Sequence, residues 1–109
     1  MFKFGLLISL GLMLVACHTH SITPGMVADI QQSKRDFNAG FYKRAMERLL
    51  PLACDGLPEA QYGVGYMYYY GYGVAQDTNV GYFWIHRAAA QHYPPAVRAV
   101  QMIRLNQAR

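Results

Sequence analysis

Apolar residues recur every three or four positions along most of the chain after residue 24, which is the spacing of one face of an α-helix. The clearest case is 41–55, where an apolar face lies opposite a charged face that contains Lys43 and Arg44. A weaker pattern of the same period covers 25–39. Together these patterns predict five helices, at about 25–39, 41–55, 58–70, 78–91 and 96–107.

The breaks between these stretches carry residues that begin and end helices. Thr23 and Asp77 have side chains suited to the N-cap position. Gly40 and Gly56 suit the left-handed backbone that commonly follows a helix, and the glycines in 71–73 predict a tight turn. Antiparallel helices joined by such short turns predict an all-α fold of the helical solenoid type.

Residues 1–17 (MFKFGLLISLGLMLVAC) have the layout of a secretory signal, with Lys3, an apolar stretch over 4–16, and small residues before Cys17. The apolar stretch is shorter than the roughly 17–25 residues that span a bilayer. Its last four residues, 14–17 (LVAC), resemble the lipobox of bacterial lipoproteins. An ordinary cleaved signal, or a transmembrane stub followed by a chance cysteine, remains the alternative.

The lipobox resemblance implies that 1–16 is removed as a signal peptide, that Cys17 carries lipid, and that 17–23 is a tether. Several acyl chains on one residue give stable attachment to a membrane. The implied location is the bacterial cell envelope, facing the periplasm. His18 stands where an aspartate would favour the inner membrane, so the resemblance points to the outer membrane. We expect no metal site at His18 and His20, because two histidines on a tail do not complete a ligand set.

The composition excludes some classes of protein. The 109 residues fit one domain, and the part after residue 17 carries nine basic and six acidic side chains. The basic residues are scattered and form no stripe, so no nucleic-acid partner is expected. Two cysteines cannot form a disulfide framework, and we expect Cys54 to be buried as a small apolar residue. No cofactor is predicted.

Small and aromatic residues recur at fixed spacings over 60–96. They are Ala60, Val64, Gly65, Tyr68, Gly71, Gly73, Val74, Asp77, Trp84, Ala88, Ala89 and Ala96. This pattern resembles the Sel-one-like repeat, a relative of the tetratricopeptide repeat. The resemblance implies a short right-handed α-solenoid of antiparallel helix pairs over 24–109. Within it we expect a half repeat at 36–57, a full repeat at 58–93 and a capping helix at 95–108.

The resemblance implies structural roles for these residues. Gly65 is expected to let two helices approach closely, and Trp84 to fill the wedge between them. The sequence departs from the pattern at Val64, which replaces leucine, at Gly81, which replaces alanine, and at His92, where glycine usually ends the second helix. We expect Gly81 to lower helix stability by about 1 kcal/mol relative to alanine.

Seven tyrosines lie between residues 62 and 82. Neighbouring residues on a helix face in different directions, so some of these rings are expected to be exposed. Exposed tyrosine is enriched at binding hot spots. The candidate partner-binding residues are therefore Tyr66, Tyr69, Tyr70, Tyr72 and Tyr82. The alternative, that these rings only pack against flanking helices, stays open.

The favoured function is a membrane-anchored adaptor that binds an unknown protein partner through the concave face of its helix pairs, with self-association as a further option. One alternative is an immunity or inhibitor protein that neutralises a secreted toxin such as a phospholipase. A cell-wall-related hydrolase, such as a β-lactamase, is disfavoured because the chain lacks the spaced cysteine pairs of such relatives. Cys54 also has no histidine neighbour in sequence to act as a base. No catalytic residue is assigned.

Overall fold

A computed structural model describes residues 21–109 of the chain. The predicted signal peptide, Cys17 and most of the predicted tether lie outside the described residues. The described part contains five helices and no strand. The helices are α1 (Pro24–Asn38), α2 (Tyr42–Cys54), α3 (Pro58–Tyr70), α4 (Thr78–Ala90) and α5 (Pro94–Gln107).

Each helix packs against the next one along the chain, which is the arrangement of a helical solenoid. The prediction of an all-α solenoid of five helices is therefore confirmed for residues 21–109. Two of the helices begin at side-chain caps. The Thr23 hydroxyl accepts a hydrogen bond from the Met26 amide at 3.2 Å. Asp77 Oδ1 accepts from the amides of Asn79 and Val80, both at 3.1 Å.

The buried apolar side chains form two clusters. The first lies among α1, α2 and α3, and the second lies mainly between α4 and α5. The first contains Ile30, Ala45, Met46, Leu49, Leu52, Ala53, Leu57, Ala60, Val64 and Met67. The second contains Ile85, Ala88, Ala96, Val100 and Ile103. Helices α3 and α4 join the two clusters, so their contact holds the two parts of the solenoid together.

The contact between α3 and α4 is a crossing of two glycines. A Cβ atom added to Gly65 would lie 2.7 Å from Ile85 Cγ1 and 2.8 Å from the Gly81 carbonyl oxygen. A Cβ atom added to Gly81 would lie 2.6 Å from the Tyr69 amide nitrogen and 2.8 Å from the Gly65 carbonyl oxygen. Gly81 is therefore more than a weakened helix position. Glycine instead of alanine at this position lets the backbones of α3 and α4 come into contact, which the sequence analysis did not predict.

A buried glutamine connects three helices. The Gln61 side-chain amide donates to the Ala53 carbonyl at 3.2 Å, and its oxygen accepts from the Gln91 side chain at 2.9 Å. The same Gln91 amide also donates to the Gly56 carbonyl at 2.9 Å. These bonds tie the turn between α2 and α3 to the end of α4, and they satisfy polar atoms that would be costly to bury alone.

The expected burial of Cys54 is wrong, because its side chain is exposed. The buried positions of α2 include Ala45, Leu49 and Leu52, and they share one face of the helix. Cys54 follows Leu52 by two positions, so at 100° per residue it points away from that face.

His92, two residues after the end of α4, adopts the left-handed backbone conformation that glycine usually adopts there, with φ of 62°. A side chain in this left-handed region costs roughly 1–2 kcal/mol. We therefore expect His92→Gly to raise the free energy of unfolding by about 0.5–1 kcal/mol, allowing for the greater freedom of glycine in the unfolded chain. Urea denaturation followed by circular dichroism measures the change.

The matched control for this prediction is His86→Gly. His86 is also an exposed histidine, but it lies inside α4. Glycine in a helix interior should lower stability by about 1 kcal/mol, so the two variants should shift the urea midpoint in opposite directions. A lower midpoint for His92→Gly would contradict the assignment of strain to this residue.

Candidate partner-binding site

Two open grooves lie side by side on the face formed by α1, α3 and α5. The first, here called the α1–α3 groove, has a volume of about 370 Å³ and includes Lys34, Phe37 and Glu59 in its lining. The second, the α3–α5 groove, has a volume of about 350 Å³ and includes Arg98 and Met102. The two grooves share α3 as their common wall.

The wall shared by the grooves is a row of tyrosines. Tyr62, Tyr66 and Tyr70 are spaced four residues apart, which places them along one face of α3. The ring centroids of Tyr62 and Tyr66 are 6.2 Å apart, and those of Tyr66 and Tyr70 are 4.8 Å apart. Tyr62 and Tyr66 line both grooves. We call Tyr62, Tyr66 and Tyr70 the tyrosine ridge.

Further aromatic rings hold the ridge in place at its sides. The Tyr72 ring lies parallel to that of Tyr66, with centroids 6.0 Å apart, and it meets Phe37 edge-on at 5.3 Å. Tyr42 from α2 packs against Tyr72 at 4.9 Å. At the other end, Tyr93 lies 5.8 Å from Tyr62. Contacts among aromatic rings at these distances are favourable beyond the area they bury, so they fix the ring positions.

The phenols of the grooves are partly buried, and burial shifts their pKa values. Burial raises the pKa of Tyr62 above its ordinary value of 10.0, and it does the same to the pKa of Tyr66 and of Tyr93. Neighbouring tyrosines raise the pKa of Tyr66 further. A phenol is neutral at pH 7 even at its ordinary pKa, so these side chains are neutral hydroxyls that can donate and accept hydrogen bonds at the edge of an apolar surface.

The charged side chains of the two grooves differ in their pairing. In the α1–α3 groove the Lys34 ammonium forms an ion pair with the Glu59 carboxylate. The hydrogen bond to Glu59 is the main cause that raises the pKa of Lys34. In the α3–α5 groove Arg98 is exposed, and among the described residues it makes no ion pair. The first groove is thus close to neutral, and the second is basic.

Helix α1, which forms one wall of the α1–α3 groove, is held to α2 by a buried carboxylate. Asp36 is 3% exposed and accepts hydrogen bonds from Gln32 at 3.1 Å, Arg44 at 3.2 Å and Arg48 at 3.1 Å. Burial by itself raises the pKa of Asp36. The hydrogen bonds from Gln32 and Arg48 and the charges of the two arginines outweigh it, and the net pKa lies below its ordinary value of 3.8.

This lowered pKa predicts a loss of stability in acid. A carboxyl whose folded-state pKa is depressed stabilises the fold fully above its ordinary pKa of 3.8. The contribution is lost as pH falls below that value and through the folded-state pKa. We expect the urea midpoint to fall over this range, and to fall less steeply in Asp36→Asn. Equal slopes in the two proteins would contradict the role of Asp36, and Asp55→Asn on the exposed end of α2 is the control.

Four of the five candidate binding residues lie together. Tyr66 and Tyr70 belong to the tyrosine ridge, Tyr69 lines the α3–α5 groove, and Tyr72 stacks beside Tyr66. Tyr82 does not line either groove. It lies on α4 beside His86, with ring centroids 5.7 Å apart, and packs against the second core cluster.

Sequence reasoning missed Tyr62 and Phe37 as part of this surface. Tyr62 is the first residue of the ridge, and its four-residue spacing to Tyr66 and Tyr70 is visible in the sequence. That spacing is the signal that could have identified it. Phe37 carries no such signal, because it reaches the ridge from a different helix.

The residues of the repeat pattern have structural positions. Ala60, Val64, Ala88 and Ala96 have no exposed surface. Gly71 and Gly73 adopt positive φ angles in the turn after α3. Tyr68, Val74, Trp84 and Ala89 are partly buried against the core clusters.

The described residues hold neither a metal site nor a membrane span. No group of three or more histidine, cysteine or acidic side chains within 21–109 is placed to bind a metal ion. None of the five helices over the same residues is both long and apolar enough to cross a bilayer.

Comparison with known proteins finds a family match over part of the chain. Residues 58–93, which cover α3, α4 and the turns beside them, match the Sel1 repeat family. The match covers about a third of the chain. The chain is also similar to chitin synthase regulatory factor 3 of Schizosaccharomyces pombe, with 36% identity over 75 residues. The similarity covers 58% of this chain and 8% of the fungal protein. No solved structure is significantly similar to the chain.

Proposed function

We propose that this protein is a non-catalytic adaptor that binds a segment of another protein along the tyrosine ridge. The observation that carries the proposal is the position of the ridge between two open grooves of about 370 and 350 Å³. Tyrosine rings that are held in place by neighbours lose little conformational entropy when a partner covers them, which is why such rings dominate many binding sites.

The Sel1 repeat supports a binding role over a catalytic one. Its small residues serve to bring α3 and α4 together, which leaves the ridge side of α3 uncovered. The fungal relative is named a regulatory factor, although it is a much longer protein. Helical repeats of this kind offer extended surfaces to other chains, so the partner is expected to be a protein.

Photo-crosslinking at matched positions tests this proposal. Tyr70 and Phe83 are exposed aromatic residues, at 55% and 53%, but only Tyr70 lines a groove. Benzoylphenylalanine at position 70 should give discrete adducts with a partner in cells, whereas the same residue at position 83 should give few. Equal adduct patterns from both positions would place binding elsewhere and defeat the proposal. Tyr66→Ser should reduce the adducts formed from position 70.

We also propose that a lipid on Cys17 anchors the protein to a membrane of the bacterial envelope, facing the periplasm. The support is the signal layout of residues 1–17, with a cysteine directly after small residues. Metabolic labelling with an alkyne fatty acid should mark the native chain and Cys54→Ser, and should fail for Cys17→Ser. Since Cys54 is the other cysteine of the chain, its variant controls for nonspecific acylation. Labelling that persists in Cys17→Ser would overturn the anchor.

A further inference from the structure

The charges of the chain are divided unevenly along its length. The last acidic side chain is Asp77, and residues 78–109 contain four arginines with no aspartate or glutamate. Before that point, residues 21–77 contain six acidic and five basic side chains. The net positive charge of the described residues therefore belongs to the part of the chain that contains α4 and α5.

One of these arginines lies in a groove. Arg98 is the one charged side chain that lines the α3–α5 groove, and no carboxylate among residues 21–109 is paired with it. In the α1–α3 groove the corresponding charge, Lys34, is already paired with Glu59. A guanidinium can form two parallel hydrogen bonds to a carboxylate, so Arg98 is available for an acidic group from outside.

The same groove offers an apolar contact beside the charge. Tyr70 on α3 and Met102 on α5 line it, and they are 55% and 64% exposed. Exposed apolar side chains of this size gain when a partner covers them, and methionine adapts readily to the shape of what it contacts. A groove between two helices also fits a chain segment better than a flat bilayer.

We propose that the α3–α5 groove binds an acidic segment of a partner protein, with a carboxylate on Arg98 and a neighbouring apolar side chain between Tyr70 and Met102. This inference rests on the proposed function and specifies the chemistry of the partner. It predicts that partners carry aspartate or glutamate next to leucine, methionine or an aromatic residue. The α1–α3 groove, being close to neutral, contributes apolar contact without this preference.

A random peptide library tests the preference directly, because it does not require the partner to be identified. The whole chain is immobilised in detergent and panned against phage that display random peptides, each long enough to present an acidic residue beside an apolar one. We expect the retained peptides to be enriched in acidic residues beside apolar ones. Synthetic copies should bind Arg98→Gln about tenfold more weakly than the native chain, since a charged hydrogen bond is lost.

Two further variants separate charge from shape. Arg87→Gln removes an arginine that lies over the Phe83 and Trp84 rings outside both grooves, so it should bind the peptides as the native chain does. Met102→Ala should weaken binding without changing the acidic preference. Equal weakening by Arg87→Gln and Arg98→Gln would show a general charge effect and overturn the assignment to the groove.

The outcomes also separate this inference from the proposed function. If peptides are retained and are lost in Tyr70→Ala but show no acidic enrichment, the inference fails and the adaptor proposal stands. If no peptide is retained, both fail. If the chain instead binds vesicles of phosphatidylglycerol in an Arg98-dependent manner and retains no peptide, the basic groove serves a lipid surface and the peptide assignment is wrong.

Discussion

Gly81→Ala is expected to lower the free energy of unfolding by about 1–3 kcal/mol, although alanine is the better helix former. The added methyl group would lie 2.6 Å from the Tyr69 amide nitrogen and 2.8 Å from the Gly65 carbonyl oxygen, and backbone atoms cannot move aside as a flexible side chain can. Helices α3 and α4 would have to separate, which would weaken the link between the two core clusters.

The control for this prediction is a glycine-to-alanine substitution at a position where the added methyl group meets no close atom. A Cβ atom at Gly25 in α1 would meet only the Thr23 hydroxyl, at 3.7 Å. Gly25→Ala should leave stability unchanged or raise it by up to about 1 kcal/mol. Chemical denaturation of both variants measures the difference. Should Gly81→Ala prove as stable as the native chain, the glycine crossing would not be a tight contact.

Met67→Ala is expected to have the largest effect of any single truncation in the first core cluster, lowering stability by about 2–5 kcal/mol. Met67 is 1% exposed and is the largest of the fully buried side chains in the described residues. It packs in the first core cluster and also lines the α1–α3 groove. Removing it leaves a cavity in this cluster beside the groove, which the surrounding side chains can fill only in part.

Met102 provides the matched comparison, since it is a methionine that is 64% exposed. Met102→Ala should change stability by less than about 0.5 kcal/mol. Thermal and urea unfolding followed by circular dichroism distinguish the two variants. A small effect of Met67→Ala would mean that the first core cluster is loosely packed around this side chain.

Much of the fold could be predicted from the sequence because its signals are local. A three- to four-residue apolar period, a threonine or aspartate at a helix start and a glycine after a helix end all act within a few residues of each other. They give five helices in chain order. The burial of Cys54 could also have been judged correctly, because its phase on α2 puts it opposite Leu49 and Leu52.

The candidate site was predicted only in part because it depends on contacts between helices. The tyrosines of α3 indicate a binding surface, but the rings that pack against them, Phe37 and Tyr93, come from other parts of the chain. Likewise Arg98 looks like any surface arginine until α5 is placed beside α3. From the sequence, Gly81 is only a position that destabilises its helix; its close contact with the Tyr69 backbone depends on how α3 and α4 pack.

The glycine crossing has a consequence for how the solenoid deforms. With no side chain between them at Gly65 and Gly81, α3 and α4 form a stiff pair whose separation is set by backbone atoms. The contacts of α1 and α5 with their neighbours are made by side chains, which tolerate small sliding motions. Bending is therefore expected at the outer helices, α1 and α5. Such bending would widen or narrow either groove, while the tyrosine ridge on α3 keeps its position relative to α4.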